Sequence, residues 1–283
     1  MNDVVKIASM PLYMNLDRIA RGLADFGIGP TDPIPPAQLF SLDQWHYHGT
    51  EAIGRAAERL GLGPTSRVLE IGAGVGGPAR YLAHTVGCHV TALELQREVH
   101  AIAADLTERC GLADRVTHIC GDALTCPLPD KTFDAVVSWL AFLHIPERPR
   151  LCGRLAQTLR PGGLCYIEDL TMRAPFSAHD LREAREIVYA ITLTDIEDYK
   201  RDLRAAGFAD VYAVDLTDEW APYVAGRLAA WRERRVEKSR IYGEQAYLGL
   251  EMFYDVMARL FESGSLGGVR MMARAPNAMP SAP

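Results

Sequence analysis

The stretch SRVLEIGAGVGGPARYLA, residues 66–83, decides the fold of this chain. A short apolar run ending at Ile71 is followed by a cluster of glycines, and from Pro78 onward apolar residues recur at helical spacing. This order of strand, tight turn and helix opens a βαβ unit. Glycines let a ligand approach the backbone closely, and the first turn of the helix directs free N–H groups toward it. We therefore expect a ligand site at this turn.

The glycine spacing alone fits two kinds of ligand. Gly72, Gly74 and Gly77 satisfy G-x-G-x-x-G, with Glu94 about twenty residues after the motif, as in dinucleotide-binding enzymes. Glu70, however, stands at the strand end, two residues before the first glycine. A carboxylate there suits a ligand with an ammonium group and repels a pyrophosphate. S-adenosylmethionine (SAM) carries an ammonium group, a ribose diol and a sulfonium but no phosphate, so we favour SAM. An NAD-dependent oxidoreductase stays open as an alternative.

The segment E-I-G-A-G-V-G-G resembles the first motif of class I SAM-dependent methyltransferases. The resemblance implies an α/β fold with a doubly wound, seven-stranded, mostly parallel sheet whose last strand is antiparallel. Acids follow three successive strands (Glu70, Glu94 and Asp122), at one edge of a parallel sheet. The resemblance assigns them to the ammonium, the ribose hydroxyls and the adenine of SAM. The other cofactor-binding candidates are Gly72, Gly74, Gly76, Gly77, Leu95, Gln96, Ala123 and Trp139.

A second candidate segment precedes the first strand. Residues 42–52 read LDQWHYHGTEA, which is too polar and aromatic for an ordinary linker. The pattern D-Q-x-H-x-x-G resembles the segment found here in sarcosine/dimethylglycine methyltransferases and in relatives that act on sugars, tocopherols and sterols. Because aromatic faces attract sulfonium and ammonium cations, we interpret Trp45 as a substrate contact and Tyr47 and His48 as catalytic candidates. The alternative is an aromatic helix start that only packs, with Thr50 as the N-cap of a helix over 51–60.

A third candidate segment, LAFLHIPER, follows the fourth strand. In the resembled family this rim faces the transferred methyl group. His144 matches the L-H-x-P pattern of many relatives, and in sugar O-methyltransferases the region has been interpreted as supplying a base. Capping or orienting the next helix is the alternative role. Phe142, and Asp169 at the end of the fifth strand, are further substrate-contact candidates.

The chain divides into a short N-terminal part and one enzyme domain. Residues 1–50 contain a helix predicted over 12–26, a linker and the segment that covers the site. The methyltransferase domain spans 51–275, with helical lid insertions at 172–195 and 219–264. A disordered tail is expected over 276–283.

Composition narrows the functional class. The 283 residues are 48% hydrophobic and 23% charged, as in ordinary soluble enzymes, and no apolar run could span a bilayer. A net charge of −6 gives no reason to expect nucleic acid, and the basic residues of 232–240 alternate with glutamates as on a solvated helix face. The six cysteines show no C-x-x-C and no metal spacing, which indicates a reducing, cytoplasmic compartment and no bound metal.

We therefore predict a SAM-dependent methyltransferase that acts on the amine nitrogen of a small molecule, as the sarcosine/dimethylglycine enzymes do. An O- or C-methyltransferase of a secondary metabolite is the nearest alternative. A SAM-binding protein without catalysis also stays open, as does a homodimer.

Overall fold

A computed structural model describes residue 7, residue 10 and residues 16–276. Its centre is one seven-stranded sheet in the order β3-β2-β1-β4-β5-β7-β6. The strands are β1 (Arg67–Ile71), β2 (His89–Glu94), β3 (Val116–Cys120), β4 (Phe133–Trp139), β5 (Leu159–Met172), β6 (Ala209–Asp215) and β7 (Leu266–Arg274). Only β7 runs antiparallel to its neighbours in this sheet. The doubly wound α/β fold with an antiparallel last strand is confirmed.

Helices cover both faces of the sheet and its carboxyl edge. They are α1 (Asp17–Asp25), α2 (Pro36–Leu39), α3 (Gly49–Leu60), α4 (Gly77–Tyr81), α5 (Arg97–Arg109), α6 (Arg148–Thr158), α7 (Ala178–Glu186), α8 (Ile196–Ala205), α9 (Thr217–Glu233), α10 (Arg235–Tyr242) and α11 (Glu244–Glu262). A π-helical turn (Leu82–Val86) continues α4, and a 3₁₀ turn (Phe142–His144) follows β4. No helix in the described part of the chain is long and apolar enough to cross a membrane.

Side chains along β1 alternate between the two faces of the sheet, and each face packs against different helices. Leu69 and Ile71 pack into a core shared with α6 and α8, whereas Val68 packs on the opposite face with α3 and α4. This period of two, with both faces apolar, is what a buried parallel strand requires. A third cluster joins α7, α9 and α11 to the 3₁₀ turn through Leu143 and to β5 through Leu170. The helices after β5 are thereby fixed over the edge where the strands end.

Several predicted boundaries differ from the structure. The helical insertion expected over 219–264 consists of three helices, α9, α10 and α11, which are separated at Arg234 and Gly243. Thr50 is not an N-cap: α3 begins at Gly49, preceded by His48 in the left-handed region with φ 58° and no side-chain cap. The chain turns sharply there as it leaves the buried segment, so the helix starts earlier than predicted. Residues 12–15 of the predicted N-terminal helix and 277–283 of the predicted tail lie outside the described residues.

Candidate functional site

A cavity of about 970 Å³, including its mouth, lies at the carboxyl ends of β1, β2 and β4. The strand order reverses between β1 and β4, and such a switch point is where open α/β sheets form their ligand crevice. Most of the predicted site residues line this cavity: Trp45, Glu70, Gly72, Gly74, Glu94, Leu95, Gln96, Asp122, Ala123, Trp139 and His144. Sequence reasoning missed Asp43, His46, Leu140 and Ala141, which line it as well.

Glu94 is the last residue of β2 and holds the glycine turn in place through hydrogen bonds. The Gly74 N–H donates to its Oε2 over 2.9 Å, and the Gln96 N–H donates to its Oε1 over 2.8 Å. Each carboxylate oxygen therefore keeps acceptor capacity for a further hydrogen bond. Burial raises the pKa of this carboxyl, and the two backbone N–H groups oppose that shift. A carboxylate held in this way can accept from both hydroxyls of a ribose diol.

Glu70 is the penultimate residue of β1 and is 1% exposed. Its Oε2 has no hydrogen-bond partner among the residues that the structure describes. Burial raises the pKa of the carboxyl to about 8; Arg80 opposes this shift and Glu94 adds to it. An incompletely satisfied carboxyl group in a cavity is a site for a cation, which fits the ammonium group of SAM.

Asp122 follows β3 and forms the next part of the cavity wall. Its Oδ1 accepts from the Leu124 N–H over 2.8 Å, which holds the turn that places Ala123 against the cavity. The second carboxylate oxygen accepts nothing from the described residues. The three acids thus line one cavity from three neighbouring strand ends, and the residues present fit SAM.

The glycines divide into two pairs. Gly72 (φ +70°) and Gly74 (φ +55°) line the cavity, and a Cβ on Gly72 would lie 2.3 Å from that of Ala141. Gly76 and Gly77 do not line it, in contrast to the prediction. A Cβ on Gly76 would lie 2.8 Å from Arg80, and one on Gly77 would lie 2.4 Å from a backbone oxygen. Their small size serves the packing behind the glycine turn.

That backbone oxygen belongs to Asp43, which forms a buried ion pair that the sequence did not reveal. Arg80 Nη2 lies 2.9 Å from Asp43 Oδ2, and both side chains are 0% exposed. Arg80 also donates to the Thr107 hydroxyl over 3.0 Å and to the Val75 carbonyl oxygen over 2.5 Å. The pair ties the segment before α3 to the glycine turn and α5. No local sequence signal could have shown that residues 37 positions apart would meet.

His144 lies in the cavity wall beyond β4. Its Nδ1 is 2.8 Å from the carbonyl oxygen of Tyr189. Since a carbonyl oxygen only accepts, Nδ1 carries the hydrogen, and Nε2 is the basic nitrogen of the neutral ring. Burial lowers the pKa of His144 to about 4, so the ring is neutral near pH 7.

His46 occupies a neighbouring part of the wall, with its ring 5.6 Å from that of Trp139. Its Nδ1 lies 3.0 Å from the Tyr47 carbonyl oxygen, and its Nε2 lies 3.1 Å from Gln44 Oε1. Gln44 in turn donates to Asp43 Oδ1 over 2.7 Å, so His46 is linked to the buried ion pair. Burial lowers the pKa of His46 to about 4. The histidine of the D-Q-x-H pattern is His46, so the sequence held this signal, although the predicted site residues of this segment were Trp45, Tyr47 and His48.

Tyr47 and His48 do not line the cavity, which argues against their predicted catalytic role. The Tyr47 ring packs edge-on against Trp220 at 4.7 Å, and His48 lies 4.4 Å from the Tyr223 ring and 3.4 Å from Glu219 Oε1. Both therefore face α9. Only the first half of the aromatic segment reaches the cavity.

Phe142 and Asp169 also lie away from the cavity, in contrast to the prediction of substrate contacts. Phe142 is fully buried and stacks on Tyr199 with ring centroids 6.3 Å apart. Asp169 accepts from the Leu170 N–H over 2.9 Å, and burial raises its pKa to about 7 while Arg148 opposes the shift. Both side chains contact Tyr199 of α8 in the core.

Known proteins resemble this chain in sequence and in fold. The sequence model of a methyltransferase domain matches residues 69–167. Sarcosine/dimethylglycine N-methyltransferase of Halorhodospira halochloris is 32% identical over 195 residues, which cover 65% of this chain and 68% of that protein. Sterol 24-C-methyltransferase of Gibberella zeae is 33% identical over 177 residues, 59% of this chain. The chain spans only 46% of that sterol enzyme.

The fold has a solved counterpart in phosphoethanolamine N-methyltransferase 2 of Haemonchus contortus, whose structure holds SAM. The TM-score is 0.80 at 19% identity, covering 98% of this chain and 60% of that one. The sheet topology, the acids at three strand ends and the similarity to the H. halochloris protein all indicate the same family. The chain belongs to the class I SAM-dependent methyltransferases.

Proposed function

We propose that this protein transfers the methyl group of SAM to an amine nitrogen of a small molecule. The observation that carries the proposal is a single cavity in which the three strand-end acids meet a wall of aromatic and imidazole rings. Glu70 would hold the ammonium group of the cofactor, Glu94 its ribose hydroxyls and Asp122 its adenine amine. When bound, SAM supplies an activated methyl group on a sulfonium.

The chain itself aligns the acceptor and excludes water, since little other help is needed for an in-line displacement. Trp139 and Trp45 line the part of the cavity beside His46 and His144. Their faces stabilise a positive charge, which suits a cationic cofactor and an amine that becomes cationic as it reacts.

Proton removal depends on the class of amine. A primary or secondary amine arrives largely as ammonium and must lose a proton, whereas a tertiary amine that arrives unprotonated need not. The neutral ring of His144, with its tautomer fixed by the Tyr189 carbonyl oxygen, presents Nε2 as the proton acceptor. We therefore propose His144 as the general base for amines that carry a proton.

The names of the relatives support an amine acceptor and leave C-methylation as the alternative. The H. halochloris and H. contortus proteins are named as N-methyltransferases, whereas the Gibberella protein is named as a C-methyltransferase. Incubation with methyl-labelled SAM and a panel of amines, phenols, sugars and sterols tests the proposal. Label in an amine supports it. Label only in phenols, sugars or sterols would replace it by O- or C-methylation, and binding of SAM without any label transfer would leave a binding protein.

We extend the proposal to the segments that cover the cavity and to the compartment in which the enzyme works. Residues 1–50 and the helical regions 172–195 and 219–264 would cover the acceptor side of the cavity, as Trp45 and His46 do in the wall. The six free cysteines fit the reducing cytoplasm. Light scattering would distinguish a monomer from a homodimer.

A further inference from the structure

Residues 189–192 lie along the 3₁₀ turn that carries His144, and we call them the post-α7 segment. Two N–H groups of this segment, one of them from Thr192, donate to the Leu143 carbonyl oxygen over 2.8 and 3.1 Å. In the opposite direction, His144 Nδ1 donates to the Tyr189 carbonyl oxygen over 2.8 Å. The imidazole is therefore held by the backbone of a segment that is remote in sequence from its own turn.

The Thr192 side chain adds a second connection between the segment and the turn. Its hydroxyl oxygen lies 2.9 Å from the Phe142 carbonyl oxygen, 3.3 Å from that of Leu143 and 3.1 Å from that of Ile145. A hydroxyl group has one hydrogen to donate, so these three carbonyl oxygens share one donor. They come from both sides of His144 along the chain. A single hydroxyl group therefore fixes the whole turn against the post-α7 segment.

The post-α7 segment is itself attached to the sheet and to α6. Arg148 of α6 donates to the Thr192 carbonyl oxygen. Two residues further on, the Thr194 carbonyl oxygen accepts from the Thr171 hydroxyl over 2.8 Å and from the Met172 N–H over 2.9 Å, both at the end of β5. Thr192 is thus anchored through its backbone, and its side chain transmits that anchorage to the turn.

Tyr189 has a left-handed backbone, with φ 57°. This conformation is unfavourable for a residue with a side chain, and proteins retain it where neighbouring contacts impose it, often at functional sites. Here the neighbouring contacts are the hydrogen bonds between Thr192 and the turn, and the strained residue is the one whose carbonyl oxygen binds His144. The hydrogen bond to the imidazole therefore depends on the attachment of the post-α7 segment to the turn.

The position of the Tyr189 carbonyl oxygen determines which nitrogen of His144 is basic. A neutral imidazole carries its hydrogen on one nitrogen, and the hydrogen bond made by that nitrogen sets which one. With Nδ1 held by the carbonyl oxygen, Nε2 keeps its lone pair for a proton. General-base catalysis also needs the base in place, since a misplacement of about 1 Å can lower a rate roughly 10²-fold. The support of the turn is thus part of what a histidine base requires.

We propose that Thr192 is a positioning residue for His144. Its hydroxyl group fixes the post-α7 segment on the 3₁₀ turn, and the Tyr189 carbonyl oxygen then holds the imidazole in the tautomer and orientation that accept a proton at Nε2. This inference rests on the proposed function, in which His144 is the general base, and extends it to a residue outside the cavity wall.

Nitrogen NMR of isotope-labelled histidine tests the inference without relying on turnover. The signals of His144 are identified by their loss in His144→Gln, and we expect them to show one neutral tautomer with the hydrogen on Nδ1. In Thr192→Val, which removes the hydroxyl group and keeps the branched shape, the Nδ1 and Nε2 signals should move toward each other, because both tautomers become populated. In Thr192→Ser, which keeps the hydroxyl group, they should stay in place.

Turnover separates a positioning role from a merely structural one. With the secondary amine sarcosine as acceptor near pH 7, Thr192→Val should lower kcat by about tenfold to a hundredfold, while KM changes little. The deficit should shrink as the pH rises toward the pKa of the amine, because more of the acceptor then arrives unprotonated. A structural defect would lower turnover by the same factor at every pH. Thr194→Val is the matched control, because its hydroxyl group lies 3.4 Å from Asp198 Oδ2 in the same loop; it should leave turnover and the His144 signals unchanged.

Retained affinity for S-adenosylhomocysteine shows that each variant is folded. Thr192→Cys, whose thiol is a weaker donor, is the second variant, with the same expected direction, should Thr192→Val fail that check. Unchanged His144 signals in the folded variant would overturn the inference, as would unchanged turnover of sarcosine. Failure of the unmodified protein to methylate any amine would overturn the proposed function instead, and the NMR signals would still decide whether Thr192 fixes His144.

Discussion

The two sides of the cavity are built in different ways. On the cofactor side, Glu70, Glu94 and Asp122 each end or follow a strand, so the register of a parallel sheet determines where they lie. On the acceptor side, the wall combines residues from the segment before β1 with the 3₁₀ turn after β4 and is backed by α9. Local sequence specifies the first side, whereas packing between remote segments specifies the second. Mutations should therefore separate binding from turnover.

The largest effect is expected on the acceptor side, at His144. For a primary or secondary amine, His144→Gln should lower turnover by about 10²–10⁴-fold, because a positioned base is lost. The affinity for SAM should change little. Since the pKa of His144 is about 4, protonation of this ring should not reduce activity until the pH falls below about 5. Single-turnover rates and cofactor titrations measure both quantities.

His179→Gln is the control for that experiment, because His179 is an exposed histidine of α7 paired only with Glu183. Full turnover in His144→Gln with a protonated amine would remove the general base from this wall. Loss of SAM binding would assign His144 to the cofactor side. The two sides of the cavity would then not separate binding from turnover.

The next largest effect concerns the ion pair that joins the two sides. Asp43→Ala leaves Arg80 buried without its carboxylate partner, and breaking such a pair costs about 3–5 kcal/mol of unfolding free energy. Urea denaturation measures the change. Asp32→Ala is the control, because Asp32 lies in the same N-terminal part but is exposed. A loss below about 1 kcal/mol would mean that the segment before α3 is held by its aromatic residues and not by this pair.

The same contrast explains what the sequence could and could not predict. The strands β2, β3 and β4 could be recognised in the sequence, because buried strands are short apolar runs ended by polar turns. The acids that follow them were identifiable for the same reason. The pairing of Arg80 with Asp43 had no such local signature.

The aromatic segment shows the limit most clearly. Four consecutive rings from Trp45 to His48 have similar chemistry, so composition could not show that two would line the cavity and two would face α9. The left-handed turn at His48, which makes this division, depends on where α3 packs.

On the cofactor side, Glu94→Ala should weaken SAM binding by roughly tenfold to a hundredfold. It removes an acceptor for the ribose hydroxyls, and a hydrogen bond to a charged group contributes about 1.5–3 kcal/mol. Turnover at saturating SAM should be affected much less. Glu98→Ala, at an exposed position of α5, is the control in the same titration. Unchanged affinity in Glu94→Ala would show that the ribose lies elsewhere.

Because of Glu70, we expect the affinity for SAM to depend on pH. Because the pKa of its carboxyl is about 8, it is mostly protonated at pH 7 without ligand, and an ammonium group stabilises the ionised form. Binding therefore releases a proton, and SAM affinity should increase from pH 6 to pH 7.5 by at most about tenfold per unit. Calorimetry in two buffers of different protonation enthalpy measures the number of protons released on binding. Glu70→Gln should remove the slope, and a flat profile in the unmodified protein would contradict the assignment.

The smallest effect is expected at His48, which lies outside the cavity. Its contact with Glu219 is a partly exposed pair, and Glu219 keeps Arg55 at 2.9 Å when the imidazole is removed. His48→Ala should therefore leave turnover and SAM affinity unchanged and lower the free energy of unfolding by no more than about 1 kcal/mol. The backbone there is left-handed (φ 58°), a conformation that costs a non-glycine residue roughly 1–2 kcal/mol. His48→Gly should accordingly be more stable than His48→Ala, which thermal unfolding can measure. If His48→Ala instead lost turnover while keeping its fold and its SAM affinity, the second half of the aromatic segment would belong to the acceptor side after all.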